Sequence, residues 1–162
     1  MTLDNERFRQ EKLQMMQTVI DSLAPDYLIM EMEPQTQIVN LFGLIDYSID
    51  STIAHINYFT SNLNPGTTLL GAGAGSWDNI QYFEDIAQTD IDFIDFHVYP
   101  PHADNIDDKA FLIDSIAYAN NKKLIIGEAW CYKATNSEMV SITDLIGTST
   151  LIYSRDVFVA LS

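Results

Sequence analysis

Basic residues are scarce in this chain: 8 Lys and Arg stand against 23 Asp and Glu, a formal charge of -15. So acidic a surface does not hold a polyanion by charge neutralisation, which argues against nucleic acid and anionic membranes as partners. It suits a neutral ligand or a cation equally well. Cysteine is almost missing, and the single Cys131 excludes an internal disulfide framework. No apolar run approaches the roughly 18–20 residues of a membrane span. The opening MTLDNERFRQEKLQ is polar and lacks the apolar core of a signal peptide, so the chain reads as soluble, with its compartment left open. Low-complexity tracts, linkers and short repeats are absent as well. With 162 residues, 47% of them hydrophobic, the expectation is one packed domain over residues 1–162.

What is present is an alternation of helix-like and strand-like segments. Residues 5–23 follow Asp4, a good cap, and carry Leu13, Met16, Ile20 and Leu23 at helical spacing. Tyr27 to Glu33 reads as a strand. A helix from about Asp46 to Leu63 carries Ile49, Ile53, Ile56 and Leu63 on one side. TTLLGAGAGS is a short strand with a small-residue tip, followed by a helix over about residues 79–88. IDFIDFHVYP is the next strand. Residues 107–121 are helical, with Leu112, Ile113, Ile116 and Ala119 facing inward, and KKLIIGEAW is the last strand. A further helix capped by Ser137 begins the tail. Strand–helix alternation with short connections predicts an α/β fold with parallel strands and right-handed crossovers. Four strands are visible, whereas a closed barrel of this kind needs eight and about 250 residues.

In parallel α/β folds chemistry sits at the carboxyl ends of the strands. The four ends here are Glu33-Pro34, GAGAGSWD, DFHVYP and GEAW. Pro34 cannot donate to a ladder and marks a strand exit. Glycines at 71, 73 and 75 allow close approach to the backbone. Period-two alternation groups Ile29, Glu31 and Glu33; Phe93, Asp95, His97 and Tyr99; and Leu124, Ile126 and Glu128. If those faces share one interior, then Glu33, His97, Tyr99 and Glu128 converge at a rim, with Glu31 and Asp95 one layer deeper. Buried carboxylates are costly unless paired, so Glu31 and Asp95 must pair with each other or with strands beyond these four, unless the faces are otherwise. Two glutamates flanked by His, Tyr and Trp are the parts of a glycosidic-bond-cleaving site. One carboxyl donates a proton to the leaving oxygen, the other attacks the anomeric carbon, and their environments must drive them apart.

MEMEPQT, DFHVYP and IIGEAW resemble the fourth-, sixth- and seventh-strand segments of the clan A glycoside hydrolases, the retaining (β/α)8-barrel glycosidases. The likeness covers about residues 5–135. It implies Glu33 as the acid/base, Glu128 as the nucleophile, and Tyr99 as the residue orienting that nucleophile. His97, Trp130 and Trp77 would bind substrate. The implied reaction is retaining hydrolysis of a β-linked saccharide, with no cofactor. The family's Asn before the acid/base is Met32 here, and its first three strands and eighth strand have no counterpart. The implied architecture is a partial TIM barrel of about four strands, with self-association through its open edges to a second copy.

Each of these residues also has a plainer reading. Glu33 alone is compatible with an exposed strand-end carboxylate, and Glu128 with an anion at a helix start or an ion pair with Lys133. His97 is compatible with a satisfied structural group, Tyr99 with a rigid loop entry before Pro100 and Pro101, and both tryptophans with packing. A metal site from His97, His102, Asp95 and Asp104 matches no strong ligand spacing. GAGAGS lacks the Lys of a P-loop and the spacing of a dinucleotide loop. The alternative from another class is a non-catalytic carbohydrate-binding or interaction module derived from such a barrel. A third possibility, an open α/β sheet holding a small anion, is disfavoured by the net charge.

Overall fold

A computed structural model describes residues 4–99 and 106–129. They form helix α1 (Asn5–Leu23), strand β1 (Tyr27–Glu31), helices α2 (Pro34–Asn40) and α3 (Ile49–Asn62), strand β2 (Leu69–Gly75), helix α4 (Ile80–Ala87), strand β3 (Phe93–Val98), helix α5 (Ile106–Ala119) and strand β4 (Lys123–Ala129). All strands are parallel and lie in the order β1-β2-β3-β4. Each crossover therefore steps to the adjacent strand in the same direction. Right-handed steps of one sense place the helices on one face of the sheet, as in one arc of a barrel. This is the expected α/β fold. Among the described residues no helix is long and apolar enough to cross a membrane.

Local chemistry explains the helix starts. Asp4 accepts from the backbone N–H of Arg7 at 2.8 Å, and Ser48 and Asn79 cap α3 and α4 with their side chains. The core lies between helices and sheet. Met16, Ile20, Ile56, Phe59, Phe83 and Ile113 pack on Met30, Leu70, Ala72, Ala74, Ile94, Phe96 and Val98. Leu23, Leu112 and Ala119 were expected inside and are exposed; Ala117 takes the inward place on α5. A helical stripe is wider than the line of contact with a curved sheet, so its margins reach solvent.

Two corrections bear on the site. The first strand stops at Glu31, two residues short of the expected end, and α2 begins at Pro34. The strand faces also do not follow simple alternation. Ile29 pairs with Gly71 but Glu31 pairs with Ala72, so Met30 and Glu31 together oppose one residue of β2. Such a bulge re-aims the side chains beyond it. Glu31 consequently faces the helices and not the inner face that carries Ile29. In β4, Asp95 pairs with Ile125 and His97 with Glu128, so Ile126 and Gly127 together oppose Phe96. This second bulge moves Glu128 off the face of Leu124 and onto that of His97. The tail helix, His102, Asp104, Trp130, Cys131 and Lys133 lie outside the described residues.

Candidate active site

The inner face of the sheet is built over glycine. Gly71, Gly73 and Gly75 bring the backbone of β2 close to its neighbours, and a Cβ on Gly73 would collide with the backbone of Asp95. The room so made is filled from β3. Phe93, Asp95 and His97 all project here, all buried, and the ring of Phe93 meets that of Tyr27 edge-on. At the carboxyl end, Ser76 stitches β2 to β3. Its N–H donates to the His97 carbonyl at 2.8 Å, and its Oγ accepts from the Tyr99 N–H at 3.1 Å.

His97 is the hub. Its Nδ1 lies 2.6 Å from Glu33 Oε1 and 3.5 Å from Glu128 Oε2, and its Nε2 lies 2.8 Å from Asp95 Oδ2. The ring thus meets carboxylates at both nitrogens. Burial opposes its charge, but hydrogen bonds to Asp95 and Glu33 outweigh that penalty and push its pKa up to about 9. At neutral pH the couple of His97 with its facing carboxylates therefore holds this proton. One oxygen of Glu33, one of Glu128 and one nitrogen of His97 all lie within 4.8 Å of one another. The Tyr99 hydroxyl is within hydrogen-bonding reach of Glu128 and Glu33, and burial raises its pKa first, the two carboxylates second.

Glu33 reaches this place by leaving the strand in the left-handed region, at φ 47 and ψ 62, immediately before the fixed φ of Pro34. A non-glycine residue held there is strained by about 1–3 kcal/mol, and such strain gathers where a side chain must be aimed. Asp78 secures the neighbourhood. Its carboxylate accepts from the Gly75 N–H at 2.7 Å and the Gln35 N–H at 3.4 Å, tying the end of β2 to the start of α2. Burial raises the Asp78 pKa, with those backbone donors and Lys109 opposing. The Lys109 ammonium donates to the carbonyls of Ser76 and Asp78 at 2.7 and 2.6 Å. Ser76, Asp78 and Lys109 were not anticipated. The polar run after GAGAG was their only signal, and Lys109 carried none.

Of the expected site residues, Glu33, His97, Tyr99 and Glu128 come together. Trp77 joins them as a wall, its ring 4.9 Å from that of Tyr99. Trp130 lies outside the described residues. Asp95 sits one layer deeper, as expected, and pairs with His97. Glu31 does not. It lies on the opposite face, 2.8 Å from Lys12 Nζ and 3.6 Å from His55 Nδ1. The 2.6 Å His97–Glu33 contact is a hydrogen bond. Two ligands of one tetrahedral zinc, each at ~2.0–2.2 Å, would stand ~3.3 Å or more apart.

Set against family models, curated proteins and solved structures, the chain matches none.

Proposed function

We propose that this chain carries a retaining glycoside hydrolase centre, with Glu33 as acid/base and Glu128 as nucleophile on a β-linked saccharide. The observation that carries the reading is the approach of one oxygen of Glu33 and one of Glu128 to within 4.8 Å of each other beside His97 Nδ1, at the carboxyl ends of two parallel strands. Retaining centres hold their carboxyls roughly 5–5.5 Å apart, inverting ones roughly 6.5–9.5 Å apart. In the first step Glu128 attacks the anomeric carbon while Glu33 protonates the leaving oxygen. In the second, Glu33 takes a proton from water, which displaces Glu128. Tyr99 is placed to steer the nucleophile, and Trp77 offers an apolar ring wall. The chemistry calls for no cofactor.

The test is covalent. A 2-fluoro β-glycoside should label Glu128, found as a mass increase on the peptide containing it, and Glu33→Gln should slow hydrolysis of unactivated substrates by ~10²–10⁴-fold. Labelling elsewhere, or turnover surviving both Glu33→Gln and Glu128→Gln, would sink the assignment. A second reading, a non-catalytic carbohydrate-binding or interaction module, draws on two observations. Glu128 is 49% exposed, and Met32 stands on the rim, itself 39% exposed. It predicts saccharide binding that survives Glu128→Gln, with no turnover before or after. In either case the edges of β1 and β4, unpaired among the described residues, favour self-association with a second copy.

A further inference from the structure

Asp95 stands out among the charged groups that the two-glutamate chemistry leaves unused. It is fully buried, and neither of its carboxylate oxygens makes a well-directed hydrogen bond among the described residues, although Oδ2 lies 2.8 Å from His97 Nε2. It sits behind the histidine, away from the rim. A carboxylate in that position is costly unless it compensates a charge. The charge it faces is that of His97, 2.8 Å away. Among the described residues, the other titratable groups beside the His97 ring are Glu33 from the exit of β1 and Glu128 from β4, with Tyr99 next to those two carboxylates. On β2, Gly75 pairs with His97, and the Asp78 carboxylate accepts from the Gly75 N–H. No cation is among these groups.

The ring geometry restricts the proton's position. A neutral imidazole would leave a bare nitrogen lone pair beside a carboxylate oxygen, 2.6 Å away at Nδ1 or 2.8 Å away at Nε2. Either both nitrogens carry protons, or one proton has crossed to the carboxylate beside it, from Nδ1 to Glu33 or from Nε2 to Asp95. These states hold the same number of protons and the same total charge.

We propose that Asp95 is a positioning residue that holds a proton on His97, and that this proton, passed along the 2.6 Å bond to Glu33, is the one the acid/base delivers. The inference rests on the reading of Glu33 as acid/base. In the transfer the Nδ1–H bond breaks and the Glu33 Oε1–H bond forms. Imidazolium and carboxylate become neutral imidazole and carboxylic acid. Glu33 then gives the proton to the glycosidic oxygen, which leaves with the electron pair of its bond to the anomeric carbon as Glu128 bonds to that carbon. When water is later deprotonated by Glu33, the proton returns to Nδ1 and the store is refilled. Asp95 keeps the Nε2 proton throughout and touches no reacting atom.

The measurement is an NMR titration of the histidine ring signals in the whole chain, with His97→Gln used to assign His97 among three histidines. His97 should remain charged to about pH 9 in the native chain. In Asp95→Asn it should titrate at least tenfold more readily, that is, one pH unit or more lower. Should Asp95→Asn fail to fold, Glu33→Gln removes the partner at the other nitrogen and should lower the titration likewise. A native His97 that titrates near the ordinary histidine value overturns the proposal. So does one unmoved by whichever of these variants folds. On substrates with poor leaving groups the alkaline limb of kcat/KM should move down with the same variant, while substrates with activated leaving groups should not respond. A chain that turns over no glycoside yet shows the His97 shift refutes the assignment of function and leaves the Asp95–His97 couple standing. A chain that is active with an unshifted His97 refutes the couple alone.

Discussion

At the scale of single residues, two histidines of this chain are driven in opposite directions. His55 lies under α1, between Phe8, Tyr47 and Phe59, and burial, assisted by the charges of Lys12 and Arg9, pushes its pKa down to about 4. Below the ordinary histidine value the unfolded chain binds a proton there that the folded chain refuses, so stability is lost as pH falls from about 6.5 through about 4. His97 has the reverse sign. Its folded pKa is raised, so its contribution is complete below about 6.5 and is lost as pH rises through about 9. Thermal unfolding against pH should therefore fall off on both sides, with His55→Phe flattening the acid side and Asp95→Asn the alkaline side. An acid slope unchanged in His55→Phe would locate the proton uptake elsewhere. The Lys12–Glu31 pair gives a second prediction. Burial raises the Glu31 pKa, while the charge and hydrogen bond of Lys12 and a hydrogen bond from Tyr47 oppose it. Lys12→Met should cost about 3–5 kcal/mol by denaturant unfolding, because it strands a buried carboxylate, and a second change, Glu31→Gln, should restore much of that. A single-variant loss below 1 kcal/mol would mean that water reaches Glu31.

At the scale of elements, the two bulges decide which side chains meet. Each inserts one residue where the partner strand has none, and each lies just before a glutamate or on it. The β4 bulge needs Gly127, because a Cβ there would strike Asp95 Oδ1. Gly127→Ala should accordingly cost about 1–3 kcal/mol and disturb the His97 titration, since the displaced group is the one holding that ring. Normal stability with an unaltered His97 would show that the strand yields without moving Asp95. Most of the helices were legible in the chain: the cap at Asp4 and apolar residues at helical spacing reproduce α1, α3 and α4 within a few residues, whereas α2, seven residues that begin at Pro34, was not anticipated. The strands were legible too, with their apolar runs stopped by Pro34 or preceded by turns. The bulges were not. Strict alternation places Glu31 beside Asp95 and Glu128 beside Leu124, and both placements are incorrect. The convergence of Glu33 with Glu128 stands for reasons alternation did not contain: a left-handed turn at Glu33 and an extra residue in β4.

For the whole molecule, the four-stranded sheet has β1 and β4 as its unpaired edges among the described residues. Along β4, Ile126 is 41% exposed, and Met32 lies exposed just past the end of β1. Exposed strand edges of this kind pair with other strands unless blocked by charge or proline. We expect the chain to associate in sedimentation velocity, and Ile126→Lys to shift it toward the monomer. Like copies of charge -15 repel one another, so association should strengthen as salt shortens the Debye length from ~30 Å at 0.01 M to ~8 Å at 0.15 M. A monomer at every salt concentration that unfolds cooperatively would count against edge pairing.

The order of helices and strands, the acidity that disfavours polyanions, and the gathering of Glu, His, Tyr and Trp at strand ends were determined by the sequence itself. These are local properties, written in periodicity, caps and composition. Which carboxylate faces which partner was decided only by the tertiary structure. Glu31 belongs to Lys12 and His55, Asp95 to His97 Nε2, and Glu33 and Glu128 both to His97 Nδ1. The physical reason is register. A side chain's face depends on how its strand pairs with the next, and one extra residue in that pairing turns every later side chain over.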